Sequence, residues 1–152
     1  AGLKCAQIIF SNAADAQKWN GLTGVAKDGT GTLGVLAAEA AYRHGGGFLD
    51  EEIEYLRETR DWLVEELPQR IPGLKTSQPQ ATYLLWLDFS DTALAGNPQP
   101  AKWLRENARV ALNEGDTFGT GGPGHARLNF ATSREILGEA LDRMEKAFAE
   151  LD

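Results

Sequence analysis

The residues of this sequence that could do chemistry are concentrated between Val110 and Ala131. Five glycines surround Phe118 in this stretch, and Arg127 follows among apolar residues. The two-residue period of a strand places Arg127 on the same face as Asn129. A buried arginine is costly unless its planar guanidinium meets a carboxylate or a phosphate. Residue chemistry alone leaves two interpretations open: an anion-binding arginine, or a strand residue that faces solvent or a structural ion pair.

Other motifs predict no further site. Residues 29–34 and 119–124 match the G-x-G-x-x-G string, but a dinucleotide site needs a strand before the string and a helix after it. No strand precedes the first string, and the second runs into a strand. Cys5 is expected to be a small buried residue, and a single cysteine excludes an internal disulfide. His44 and His125 have no zinc-ligand spacing with it.

Composition predicts a globular protein, with 42% hydrophobic and 24% charged residues among 152. The net charge of −7 is held mainly by residues 48–70 and 133–152, which we interpret as solvated helix faces. The absence of a clustered basic face argues against a nucleic-acid partner. No apolar run approaches the roughly 20 residues of a membrane span, and the first residues do not resemble a signal peptide. We therefore expect a soluble, cytoplasmic protein without a membrane partner.

Hydrophobic periodicity predicts the elements of the first half of the chain. A buried strand is expected at residues 3–10, followed by a helix at 13–19 that begins at Asn12. A second helix, at 32–44, is apolar on most sides, as a buried connecting helix would be. A third, at 49–67, is expected to end at Pro68.

The second half predicts short strands at residues 82–89, 110–112 and 126–130. A helix opens at 97–100, and the last helix begins at Thr132 or Ser133, where Thr132-Ser133-Arg134-Glu135 fits a capping box. The apolar stripe of the last helix is Leu137, Leu141, Met144, Phe148 and Leu151. This mixture predicts an α+β fold, a small sheet covered on one face by helices.

Several of these segments resemble one known family. Residues 113–119 (N-E-G-D-T-F-G) and 127–131 (R-L-N-F-A) closely resemble the C-terminal signature of class I/II aminotransferase-like enzymes. They look most like the cystathionine β-lyase, or C–S lyase, branch. Residues 81–88 (A-T-Y-L-L-W-L-D) are similar to that branch's central small-domain strand, and residues 40–45 (A-A-Y-R-H-G) resemble its connecting helices. The resemblance follows the same order along nearly the whole chain.

The resemblance implies an α/β fold-type I enzyme that uses pyridoxal 5'-phosphate (PLP). It implies that residues 1–28 end the large PLP-binding domain, that residues 29–46 form a connecting helix, and that residues 47–152 form the small C-terminal domain. The implied activity is C–S β-lysis of cystathionine or a related cysteine S-conjugate, giving pyruvate, ammonia and a thiol. An aminotransferase of the same fold and a non-catalytic folding or association fragment stay open as alternatives. A small amino-acid substrate and a homodimer are also implied.

The resemblance also implies roles for two residues. In the family, the arginine of the R-L-N strand grips the substrate α-carboxylate with two hydrogen bonds, which is Arg127 here. Gly2, Lys4 and Ala6 fit the second half of the cofactor-attachment motif, so the Schiff-base lysine is expected upstream of Ala1. Lys4 occupies the position where many relatives carry an arginine that contacts the cofactor phosphate. An ordinary surface lysine is the open alternative for Lys4.

Overall fold

The computed structural model describes residues 2–27 and 29–151. The chain divides into two compact units, Ala1–Glu51 and Glu52–Asp152. Among the described residues, the hydrophobic core belongs entirely to the second unit. The division of the chain into large-domain remnant, connecting helix and small domain stays a prediction.

In the described part of the first unit, three helices precede the start of a long fourth helix. Helix α1 (Ala13–Asn20) begins at Asn12, as predicted, and the Asn12 side-chain oxygen accepts the Asp15 backbone N–H at 2.9 Å. The short helix α2 (Gly24–Lys27) is not predicted by the sequence pattern. Helix α3 (Thr32–His44) has the predicted bounds.

Two predictions for the first unit are wrong. The segment 3–10 contains no strand among its described residues, because a strand needs a neighbouring strand to satisfy its backbone hydrogen bonds. The Gly31 N–H donates to the Lys4 carbonyl at 2.9 Å, an isolated bond instead of a ladder. Helix α3 is not a buried helix either, since Gly34 is its one buried residue and Leu33 is 70% exposed.

Helix α4 (Gly46–Arg70) continues through Pro68, which the sequence pattern predicts to end it. A proline in the last turn removes one N–H donor and crowds the preceding turn. Burial of Leu63 and Leu67, both 0% exposed, offsets this cost. The Ile71 N–H then bonds the Leu67 carbonyl at 3.0 Å.

Four antiparallel strands form one sheet in the order β1-β2-β4-β3. The strands are β1 (Lys75–Thr76), β2 (Leu84–Asp88), β3 (Asn113–Glu114) and β4 (His125–Asn129). Helix α5 (Pro100–Asn107) lies between β2 and β3, and helix α6 (Arg134–Ala149) follows β4. The predicted α+β fold is confirmed.

The two faces of this sheet have different environments. Along β2 and β4, buried residues alternate with half-buried or exposed ones, as a sheet covered on one side requires. The buried face joins residues of α4, α5 and α6 in a single core cluster. The strand residues that it contributes are Leu85, Leu87, Ala126 and Leu128, each at most 3% exposed. The opposite face carries Trp86 and Arg127.

The third strand begins later than the sequence predicts. Residues 110–112 form no strand, and β3 consists of Asn113 and Glu114 alone. The Glu114 carboxylate accepts the backbone N–H groups of Ala101 at 3.2 Å and Lys102 at 2.8 Å. These bonds satisfy free donors at the start of α5 and tie β3 to that helix.

Ser133 is the residue that caps α6. Its hydroxyl accepts the Ile136 backbone N–H at 3.3 Å, which decides between the two predicted starts. The helical part of the predicted apolar stripe is confirmed, whereas Leu151 lies beyond the helix and is 44% exposed. The buried stripe residues are Leu137, Leu141, Met144 and Phe148.

No helix in residues 2–27 and 29–151 has the length and apolar character needed to cross a membrane.

Removing core volume from α6 should destabilise the second unit. Leu141 is 1% exposed and Ile136, on the same helix, is 57% exposed. We expect Leu141→Ala to lower the free energy of unfolding by about 2–5 kcal/mol, because it opens a cavity in a packed core. The matched variant Ile136→Ala should change it by about 0.5 kcal/mol or less. Urea unfolding followed by circular dichroism measures both, and equal losses would contradict the assignment of the core.

Candidate functional site

The open face of the sheet aligns three side chains across three strands. Arg127 on β4 lies opposite Asn113 on β3 and opposite Trp86 on β2. The next row pairs His125 with Asp88. Cross-strand neighbours on one face lie close enough to interact, so the register itself brings residues far apart in sequence to one site.

The Arg127 guanidinium is half-buried and is contacted from two directions. Its Nη2 donates to the Asn113 side-chain oxygen at 3.0 Å. Its central carbon lies 4.6 Å from the centre of the Phe118 ring, a cation–π distance. Its Nε is buried without a hydrogen-bond acceptor in the described residues. A buried donor without a partner is costly.

Arg127 has no acidic partner among the described residues, whereas four of the seven other arginines of the second unit have one. Arg70 pairs with Glu66 at 2.8 Å, and Arg143 pairs with Glu139 at 2.5 Å. Among the described residues, no salt bridge involves Arg127. Its positive charge is therefore kept in a half-buried position without being neutralised.

A compact glycine loop carries Phe118 to the guanidinium. Residues 115–118 form a 3₁₀ turn, which Gly119 closes with an N–H donated to the Asp116 carbonyl at 3.3 Å. A Cβ on Gly115 would collide with the carbonyl oxygens of Gly122 and His125. The loop therefore needs glycine for close backbone approach.

An aromatic stack supports Phe118 from the side of the sheet. The Phe118 and Trp86 ring centres are 5.6 Å apart at an angle of 80°, and the Trp86 and His125 rings stack at 5.5 Å and 19°. Edge-to-face and offset-stacked rings are favourable arrangements. The four side chains His125, Trp86, Phe118 and Arg127 thus form one continuous series of contacts.

His125 is held at the end of this series by two polar contacts. Its Nδ1 lies 3.0 Å from the Pro123 carbonyl, which can only accept, so Nδ1 is the donor. Its Nε2 lies 3.7 Å from an Asp88 carboxylate oxygen. Burial opposes the charge of Asp88 and acts to raise its pKa. Hydrogen bonds from Ser90, together with the electrostatic effect of the nearby His125 and Lys75, outweigh burial, so the pKa of Asp88 is lowered.

Lys4, the other predicted site residue, belongs to the first unit. It is exposed, and its backbone carbonyl accepts the Gly31 N–H. No salt bridge of Lys4 is found among the described residues. Cys5 is half-buried, which differs from the expected burial, and His44 is exposed.

The sequence analysis does not predict the residues that contact Arg127. Asn113 and Phe118 lie in the glycine-rich segment that the sequence singles out, but no spacing rule indicates that they contact Arg127. The predicted strand at 110–112 also ends before Asn113. Only the antiparallel register, which depends on the turn between β3 and β4, brings these side chains together.

Chemically, the site presents the planar, positively charged guanidinium of Arg127, called the Arg127 fork below, on the open face of the sheet. One donor of the guanidinium is used by a neutral amide and the Nε donor is buried, so the remaining Nη donors are those available to an anion. A planar guanidinium matches a carboxylate or a phosphate with two parallel hydrogen bonds. The site can bind and orient such a group.

Comparison with known proteins identifies relatives along nearly the whole chain. No family model matches. The chain is 49% identical to a cystathionine β-lyase of Corynebacterium glutamicum over 144 residues, which cover 95% of this chain and 38% of that protein. It is 34% identical to the cystathionine β-lyase PatB of Bacillus subtilis over 152 residues, 98% of this chain and 38% of that protein. The chain therefore spans less than two fifths of these curated relatives.

Solved structures give the same result for the fold. A protein of Corynebacterium diphtheriae assigned as a PLP-dependent β-cystathionase matches with a TM-score of 0.89 and 56% identity, over 97% of this chain and 39% of that one. The PLP-bound C–S lyase of Staphylococcus hominis matches with a TM-score of 0.79 and 29% identity, over 93% of this chain and 37% of that one.

The close backbone approach in the glycine loop can be tested by adding one methyl group. We expect Gly115→Ala to lower the free energy of unfolding by about 1–3 kcal/mol, because the added Cβ meets backbone atoms that cannot move away cheaply. Gly138→Ala is the matched control, since nothing lies within 4 Å of its added Cβ in α6. Alanine there should be neutral or stabilise the helix by up to about 1 kcal/mol. Denaturant unfolding distinguishes the two, and an unaffected Gly115→Ala would disprove the tight loop.

Proposed function

Since this chain belongs to the cystathionine β-lyase, or C–S lyase, branch of the fold-type I aminotransferase-like enzymes, we propose that it is the C-terminal part of a PLP-dependent C–S β-lyase. The substrate of the full-length enzyme is cystathionine or a related cysteine S-conjugate. The bond that breaks joins Cβ to sulfur, and the products are a thiol, pyruvate and ammonia.

The observation that carries this proposal is the unpaired charge of Arg127. An amino-acid substrate brings an α-carboxylate, and that carboxylate is the anion which the half-buried guanidinium lacks within the described chain. Arg127 is therefore the proposed substrate-binding residue.

We propose that Lys4 contacts the phosphate of PLP. Lys4 is exposed and has no salt bridge in the described residues, and an ammonium group is a suitable phosphate donor. When bound, PLP supplies an electron sink for the electron pair released as the Cα–H bond breaks.

Arg127 contributes to the reaction by orientation. Two hydrogen bonds to the carboxylate fix one substituent of Cα and limit the rotation of the substrate. The directions of the Cα–H and Cβ–S bonds are then restricted to a narrow range. The guanidinium does not exchange a proton, because arginine stays protonated at any physiological pH.

The same proposal includes the assembly and location of the full-length enzyme. We infer a cytoplasmic homodimer that acts on a small amino acid and binds neither nucleic acid nor membrane. The net charge of −7 supports the exclusion of nucleic acid, because such binding depends on a basic surface.

Removing the guanidinium should weaken catalysis by the full-length enzyme. We expect Arg127→Ala to lower kcat/KM by roughly 30-fold to several thousand-fold, because losing a desolvated charge pair costs about 2–5 kcal/mol. Arg127→Lys should restore little, since an ammonium cannot form the two parallel bonds. Cofactor content should stay near normal. Steady-state kinetics with cystathionine measures the loss.

A matched control for this loss is Arg143→Ala, which removes a surface arginine paired with Glu139 on α6. We expect kcat/KM to stay within about twofold, because exposed ion pairs contribute little. If folded Arg127→Ala behaves like this control, the role of Arg127 in substrate binding is wrong. Loss of folding or of cofactor in Arg127→Ala would favour a structural arginine instead.

Elimination should be faster than amino-group transfer in the full-length enzyme. A stretch of 99 residues is also 34% identical to an aspartate aminotransferase of Pyrococcus horikoshii, and Arg127 would serve either reaction. We expect cystathionine to give pyruvate and free thiol at a higher rate than its amino group is transferred to added 2-oxoglutarate to form glutamate. Coupled assays for the three products decide this, and faster glutamate formation would identify an aminotransferase.

A further inference from the structure

We propose that Asn113 and Phe118 are positioning residues, which fix the Arg127 guanidinium in its binding orientation before the carboxylate arrives. This inference rests on the proposed function of Arg127. An unsupported arginine side chain has several rotatable bonds, and holding them costs free energy at the moment of binding. Two contacts made in advance remove most of that cost.

Asn113 holds one nitrogen of the Arg127 guanidinium without neutralising its charge. The Asn113 oxygen accepts from Nη2 at 3.0 Å, so rotation of the guanidinium within its plane would break this bond. An amide oxygen carries only a partial charge, whereas a carboxylate in the same position would compete directly with the substrate. The choice of Asn over Asp at residue 113 thus keeps the positive charge available.

The backbone that carries Asn113 is anchored through its neighbour. The Glu114 carboxylate accepts two backbone N–H groups at the start of α5 at 3.2 and 2.8 Å, while the backbone of Asn113 pairs with Arg127 in the sheet. These contacts fix the short strand β3 on both sides. The backbone from which the acceptor for Nη2 extends therefore has a defined position.

Phe118 restricts the orientation of the plane of the Arg127 guanidinium. Its ring lies 4.6 Å from the guanidinium carbon and rests edge-to-face on Trp86 at 5.6 Å. Phe118 is 48% exposed, so core burial does not explain its position. A large apolar side chain kept at the surface by a tight glycine loop fits a role in covering the guanidinium.

The test uses the full-length enzyme and separates KM from kcat. We expect Phe118→Leu to raise KM for cystathionine by about 2- to 30-fold, the span of a cation–π contact, with kcat nearly unchanged. Phe118→Tyr keeps the aromatic face and should stay within about twofold of the native KM. Asn113→Asp should raise KM by about tenfold or more, because it places a competing carboxylate beside Nη2.

Competitive inhibition by L-alanine supplies a readout that does not depend on turnover of the inhibitor. Its inhibition constant should rise in parallel with KM in Phe118→Leu and Asn113→Asp, because L-alanine carries the same α-carboxylate. In the Arg127→Ala background, Phe118→Leu should cause no further rise. Trp62→Leu removes the analogous contact of Arg134, at 4.5 Å, and should leave KM unchanged.

The outcomes separate this inference from the proposed function. If Arg127→Ala is impaired while Phe118→Leu and Asn113→Asp keep native KM and inhibition constants, the positioning role is wrong and the carboxylate site stands. Additive effects of Phe118→Leu and Arg127→Ala would also overturn the positioning role. If Arg127→Ala itself keeps native KM, the proposed function fails first.

Discussion

The candidate site is organised around the half-buried Arg127 guanidinium, which has no acidic partner among the described residues. Removing a charge from water without a partner is costly, so such a group persists only where surrounding structure holds it. Here the Arg127 fork is held by one neutral amide and one aromatic face. Both contacts leave the charge intact. We propose that the binding of an anion recovers the cost of keeping this charge half-buried.

The antiparallel sheet allows an arginine to be held in this way, because the residues that stabilise the fold and the residues of the candidate site lie on opposite faces. On β2 and β4, one set of alternate residues enters the core and the other set forms the open face. Leu87 and Ala126 are both fully buried, while their neighbours Trp86 and Arg127 belong to the site. A one-residue shift of register would exchange the two sets. The hydrophobic core therefore fixes the position of Arg127 as well as the fold.

The sequence predicts most helices and strands that have a clear hydrophobic periodicity. It predicts much less of the loops and contacts that connect them. Helix α3 has the expected bounds because glycines flank it, although its expected burial is wrong. The stripe of α6 is buried as predicted, since periodicity reports a covered face directly. The two-residue strand β3 leaves too short a pattern to recognise. The contacts of Asn113 and Phe118 depend on register and on loop geometry, which composition does not encode. Arg127 could be found only because a charged residue in an apolar strand is unusual, and its family resemblance specified the ligand.

The most direct measurement is a crystal structure of the full-length enzyme with L-alanine, an amino acid that has no leaving group on Cβ. We expect two carboxylate oxygens at about 2.7–2.9 Å from nitrogen atoms of the Arg127 guanidinium, a bidentate pair. Asn113 should still accept from Nη2, and Phe118 should still cover the guanidinium. A bound carboxylate held by other residues, with Arg127 turned to a protein acid, would contradict it.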